Sequence, residues 1–361
     1  MMNKDETLEL LKEITDVSGV SGYEGEVRKV IKSHLKDITE IEYDNIGSII
    51  CKKTGSSEKP KIMLAGHMDE IGFMVKLITE EGFIKFSNLG GWWNQVMLAQ
   101  RVVIKTSKGD VQGIIGSKPP HILSDDERNK VVDRKDMFID VGAENAKQAK
   151  EEFSIRPGDP IIPFSPFQVM NNGKSYLAKA WDDRIGCALF IDVIKNLVNE
   201  RHPNTVYGVG TVQEEVGLRG ARTSAWAIQP DVGIALEVGI ASDVPGGKKE
   251  DSMQMIGKGP ALLLYDSSMI PHIKLRDLVI DTAKEKDIPL QLDIMERGGT
   301  DAGTIHINMR GVPSVVIGVP CRYIHSHSGI IHRDDYDNTV KLLMEVVKKL
   351  DAETTAKLTT D

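Results

Sequence analysis

The sequence predicts an α/β protein: a mixed sheet flanked by helices and interrupted by an inserted small β-barrel-like unit. Three observations carry this expectation. Helix and strand patterns alternate beyond the proline-bearing stretch RPGDPIIPFSPF, which is the signature of a sheet covered on both faces. Residues 71–165 instead hold short β-rich runs (IGFMVKLI, GFIKF, RVVIKT, VQGIIG) broken by glycines and turns, with little helical periodicity. At 361 residues the chain is long enough for one large or two ordinary domains. The expected organisation is a discontinuous α/β domain, residues 1–70 plus 166–361, around a β-domain of residues 71–165.

The elements follow in order. Leu8, Leu11 and Ile14, then Val27, Val30, Ile31 and Leu35, recur at spacings of three and four and predict two amphipathic helices. IGSIIC and KIMLAG are short, apolar and β-rich, and predict strands, the second ending on His67 and Asp69. Past the β-domain the expected elements are a helix from Ile185 to Val198, strands at Thr205–Gln213 and Asp231–Val238, and a helix from Arg276 to Lys286. A strand at Val312–Val319 and a terminal helix from about Asp335 complete the series. SKPPHILSDDERNK reads as a long polar loop. Trp92 and Trp93 fit the core of the β-domain or a partner-facing patch.

Composition narrows the function classes. With 40% apolar and 27% charged residues the chain is an ordinary globular protein. Forty-five Lys and Arg against 53 Asp and Glu give a net charge of -8, which repels nucleic acid and anionic membrane surfaces. Cys51, Cys187 and Cys321 are far apart and set in apolar stretches, which argues against a disulfide framework and fits a reducing compartment. The start, MMNKDETLELLKE, is charged where a signal peptide needs an apolar run. The expectation is a soluble cytoplasmic protein with no nucleic-acid or membrane partner.

The residues that carry chemistry sit at strand ends, where ligands bind in open α/β sheets. His67 and Asp69 share one side of the chain in AGHMDEIG, and Asp69 is placed to fix the imidazole tautomer or to ligate directly. Asp182 and Asp183 precede a helix, so one caps or supports it while the other is free to bridge metals. Glu214 and Glu215 follow the core strand TVYGVGTVQ. Left unpaired there they would share a proton; a nearby dication removes that penalty and leaves one carboxylate as a base. Glu237 ends the strand IALEVG, and His325 lies in RYIHSHSG with His327 and His332 close behind. Together His67, Asp182, Glu215, Glu237 and His325 are an N/O donor set suited to two divalent ions, zinc or cobalt first and manganese also. GGTDAG, residues 298–303, either lines a pocket or forms a turn and cap. No dinucleotide fingerprint or P-loop pattern occurs.

AGHMDEIGFMV, GGWWNQVMLAQRV, GSKPPHIL, LAKAWDDRIG, GTVQEEVGLRGA, GGTDAG and RYIHSHSG, in that order, resemble the di-metal aminopeptidases typified by glutamyl aminopeptidase and the tetrahedral (TET) aminopeptidases. The resemblance spans essentially the whole chain. It implies a zinc-exopeptidase α/β domain, a β-barrel-like dimerisation insertion and homo-oligomers, often tetrahedral dodecamers. It also implies His67 and Glu215 as terminal ligands of different metals, Asp182 as the bridge, His325 on the Glu215 side and Glu214 as general base. The family usually has Asp where this chain has Glu237, in EVGIASDVPG; Glu237 is expected to ligate on the His67 side with about 1.5 Å more reach. The implied activity is metal-dependent removal of amino-terminal residues from short peptides. A deacylase or carboxypeptidase on the same site, and a non-catalytic scaffold with a drifted site, are the alternatives. An endoglucanase fits poorly, since a carboxylate pair for glycoside hydrolysis does not call for two histidines.

Overall fold

The computed structural model describes residues 4–360, so residues 1–3 of the charged start and Asp361 lie outside the described residues. Eight strands form the main sheet, in the order Glu40–Tyr43, Ile49–Thr54, Thr205–Thr211, Lys61–His67, Val232–Ile240, Ser314–Cys321, Ala261–Tyr265 and Gln291–Ile294. The four central strands run parallel, and antiparallel pairings towards both edges make the sheet mixed. Alternation sorts the core. Along Lys61–His67, Ile62 and Leu64 enter the cluster on one face, and Met63 and Ala65 the cluster on the other.

The helix Trp181–Leu197 is buried almost all round and packs on Lys61–His67 and Val232–Ile240. Gly66 permits that approach, because a Cβ there would fall 2.5 Å from the carbonyl carbon of Gly186. Helices Lys4–Asp16, Gly25–Leu35 and Arg333–Lys349 cover the same face, while Arg219–Ile228 and Ala302–Ile305 cover the opposite one. The register sets Thr211 beside His67 and Glu237 beside Gly318, so the carboxyl ends of the central strands finish at one edge.

Six strands close into a barrel in the order Gly72–Ile78, Ile84–Leu89, Phe138–Asp140, Gly109–Gly116, Arg101–Thr106 and Pro160–Pro163. Its ends meet where Phe73 pairs with Ile161, and Phe73, Phe86, Val102, Ile104, Ile139 and Ile161 fill it. Trp92 stacks on Phe73 at 4.6 Å, whereas Trp93 is exposed.

Some elements differ from expectation. Glu40–Tyr43, Ala261–Tyr265 and Gln291–Ile294 extend the sheet unforeseen. The helix expected from Ile185 begins at Trp181, with non-helical backbone at Asp182 and Asp183. The expected polar loop is exposed but contains a short helix, Asp125–Arg128, closed by a capping box from Ser124 and Glu127. Among the described residues no helix is long and apolar enough to cross a membrane.

Candidate metal centre

Three strand ends and a helix start converge on one cleft of about 560 Å³, lined among others by His67, Asp182, Glu214, Glu215, Glu237 and His325. Asp182 stands at the centre. Its Oδ1 lies 2.9 Å from His67 Nε2 and its Oδ2 3.2 Å from His325 Nε2. The His67 side is completed by Glu214 at 3.8 Å and Glu237 at 3.9 Å, and the His325 side by Glu215 at 3.8 Å. Three sets of donor atoms close to within 4.8 Å: His67–Asp182–Glu237, Asp182–Glu215–His325 and His67–Glu214–Glu215. Asp182 belongs to the first two.

Both imidazoles are oriented from behind. His67 Nδ1 donates to the backbone carbonyl of Asp69 at 2.9 Å, and His325 Nδ1 to that of Gly91 at 2.7 Å. A carbonyl only accepts, so both Nδ1 atoms carry protons and both Nε2 atoms face the carboxylates. Asp69 therefore acts differently from expectation. Its carboxylate is 3.6 Å from His67 Nδ1, too far for a hydrogen bond, and it belongs to none of the three donor sets. Instead it accepts from Ser21 Oγ at 2.6 Å and from the backbone nitrogens of Glu214 and Glu215 at 2.9 and 3.2 Å. The paired aspartates divide their work as well: Asp183 caps the helix through Gly186 N and accepts from His67 N, both at 3.0 Å.

The electrostatics are those of a site short of positive charge. Desolvation first, then neighbouring carboxylates, pushes Glu215 up to about 8 and Glu214 and Glu237 well above the usual carboxylate range. Burial opposes ionisation of Asp182 too, but hydrogen bonds from His325 and His67 hold it below that range. Burial pulls the imidazoles down, yet Asp182 raises His325 to about 10, and Glu214 and Asp182 hold His67 well above its ordinary value. Protonated imidazoles thus stand in for cations. Glu215 Oε1 is buried without a hydrogen-bond partner, an orphaned acceptor of the kind a metal satisfies. Hard oxygen donors with two imidazoles, an orphaned acceptor and a carboxylate common to two donor sets fit a pair of divalent ions.

Other residues flagged in the sequence lie apart from the donors. His327 is buried against the Trp92 ring at 5.0 Å, and His332 caps the helix Arg333–Lys349. Within GGTDAG, Gly298, Gly299 and Thr300 line the cleft, while buried Asp301 accepts from Thr211 Oγ1 at 2.5 Å. Desolvation raises Asp301 to about 6. Ser21 and Gly91 went unforeseen; the glycine pair before Trp92 was the only trace of the latter. The three cysteines are buried and free.

Residues 47–342 match the family model described as M42 glutamyl aminopeptidase. The glutamyl aminopeptidase of Lactococcus lactis is 36% identical over 98% of this chain and 99% of its own. The lysyl aminopeptidase of Pyrococcus furiosus is 37% identical over 95% and 98%. Among solved structures, a TET aminopeptidase from the marine sediment archaeon Thaumarchaeota archaeon SCGC AB-539-E09 superposes with a TM-score of 0.96 at 49% identity, covering 98% of this chain and 99% of that one. The Pyrococcus horikoshii TET1 peptidase, described as able to assemble into a tetrahedron or a large octahedral shell, gives 0.86 at 32% identity over 95% and 100%.

Proposed function

The chain belongs to the M42 glutamyl aminopeptidase family, and from that membership we propose how its cleft works as an aminopeptidase, a hydrolase acting on peptide bonds. Asp182 would bridge two divalent ions, His67 and Glu237 completing one site and Glu215 and His325 the other. The sharing of Asp182 between two donor sets is the observation that carries this reading. When bound, the ions would supply Lewis acidity at the scissile carbonyl and lower the pKa of water. Zinc, cobalt and manganese all suit the donors.

Glu214 would be the general base. Its backbone nitrogen is held by Asp69, its carboxylate faces the same cleft, and desolvation gives it a high proton affinity. It would take a proton from the attacking water and return it to the departing amine, a role contributing about 100- to 10,000-fold. The substrates are short peptides with a free amino terminus. We further infer that residues 71–165 act as a dimerisation unit in a cytoplasmic homo-oligomer, up to a tetrahedral dodecamer. The assemblies described for the Pyrococcus horikoshii relative support the homo-oligomer, whose size light scattering tests.

Glu214→Gln is expected to bind both metals and lose about 100- to 10,000-fold in kcat. Mass spectrometry of metal content beside turnover of an aminoacyl-nitroanilide checks it. Wild-type turnover in that variant, or activity that survives phenanthroline and is not blocked by an acetylated amino terminus, would defeat the assignment.

A further inference from the structure

Family membership leaves the preferred amino-terminal residue open, because relatives named glutamyl and lysyl aminopeptidase are almost equally similar to this chain, at 36% and 37% identity. The cleft wall decides more. Beyond the donor cluster its described lining is glycine, the apolar side chains of Leu218, Val238, Ile240, Met295 and Ile324, and two polar side chains, Thr300 and Arg297. The Thr300 hydroxyl is engaged, donating to Asp266 Oδ2 at 2.8 Å. Arg297 has no ion pair, and no hydrogen bond from its guanidinium, to any described residue. A guanidinium presents a fork of N–H donors matched to a carboxylate.

We propose that Arg297 binds the side-chain carboxylate of the substrate's amino-terminal residue, so that the cleft selects Glu and Asp. This rests on the aminopeptidase reading above. Met295 and Ile240 beside Arg297 would cover the methylenes of such a side chain, and the guanidinium would meet its charged end. An opposing feature lies next door. The cleft continues past Val238, Ile240, Met295 and Arg297 into a second cavity of about 700 Å³, lined by Glu250, Asp251, Asp293 and Glu296 as well as Lys249. Asp293 is already committed, accepting from Ser252 Oγ, Met253 N and Gln254 Nε2. The remaining carboxylates, exposed like Arg297, do not line the metal cleft, whereas Arg297 lines both cavities.

Metal-loaded enzyme assayed on Glu-, Asp-, Leu- and Lys-nitroanilides separates these cases, with Leu-Gly and Leu-Gly-amide added to distinguish a side-chain from a carboxy-terminal carboxylate. Glu is expected to exceed Leu in kcat/KM, with Lys lowest. Arg297→Gln is expected to lower the Glu-to-Leu ratio about 10- to 100-fold, the worth of a hydrogen bond to a charged group. Arg297→Glu is expected to raise Lys above Glu, a gain that misfolding cannot produce. Equal losses on Glu and Leu, or Lys as the best wild-type substrate, would overturn the inference. So would a variant that loses Leu-Gly but keeps Leu-Gly-amide, since the bound carboxylate would then be the carboxy terminus. Absence of turnover on every substrate with metal bound would remove the aminopeptidase reading and this inference with it.

Discussion

The carboxylate of Asp69, holding Ser21 Oγ and the backbone nitrogens of Glu214 and Glu215, fixes the turn that carries both glutamates, while its own carbonyl orients His67. Asp69→Asn would set an amide NH2 against one of those donors. The expected result is a loss of about 10- to 100-fold in metal affinity or kcat, the usual cost of disturbing groups that orient ligands. Ser21→Ala removes one donor and leaves the two backbone contacts, so its loss should be smaller. Metal titration and kcat of both variants check the order; a harmless Asp69→Asn would remove this role. His67, Asp182, Glu214, Glu215, Glu237 and His325 were legible in the sequence because charged and imidazole side chains at the ends of apolar runs are costly without a purpose. Ser21 was not, because its partner lies 48 residues away and a serine in a loop is ordinary. Gly91 contributes a backbone carbonyl, which no residue type advertises.

The barrel strand Ile84–Leu89 delivers Gly90 and Gly91 across the donor cluster, so an element of the insertion completes a site built on the main sheet. Gly90 has φ +82°, and a Cβ there would lie 2.8 Å from Glu215 Oε2 and 2.6 Å from Ile71 Cγ2. At Gly91 a Cβ would lie 3.1 Å from His325 Nδ1 and 3.3 Å from Cε1. Gly91→Ala is therefore expected to push His325 by a few tenths of an ångström. In the proposed centre it should weaken the ion that Asp182, Glu215 and His325 would hold, by about 10- to 100-fold, while sparing the one that His67, Asp182 and Glu237 would hold. Stepwise calorimetric titration reads the two sites separately, and equal weakening of both would refute a strap that acts through His325. The long helices were legible from periodicity and the central strands from their nearly continuous apolar runs. The edge strands Glu40–Tyr43 and Gln291–Ile294 were not, because each is only four residues long, too short for its polar–apolar alternation to stand out from the flanking chain.

At the scale of the whole molecule, the α/β class with a β-rich insertion was legible because burial on both sheet faces and the change of periodicity at residues 71–165 leave a compositional trace. Closure of the barrel was less so, since it depends on pairings as distant as Phe73 with Ile161. The buried carboxylates and imidazoles of the cleft make the stability of the metal-free chain depend on pH. Glu215, at about 8 in the fold against 4.5 for the free side chain, and His325, at about 10 against 6.5, both bind more protons folded than unfolded across the neutral range. Stability contributed in that way is complete below the unfolded pKa and is lost as pH rises through the folded one. Buried His327, lowered to about 4, opposes the trend only between about 4 and 6.5. Metal binding runs the other way, because ligands must lose protons to coordinate and affinity climbs with pH. The gap in Tm between zinc-loaded and chelator-stripped protein is therefore expected to widen steadily from pH 6.5 to 8. An ion present at a hundredfold its Kd adds about 2.7 kcal/mol by mass action. Differential scanning fluorimetry across that range measures the gap, and parallel Tm curves for the two forms would show that the clustered carboxylates are not what the ions relieve.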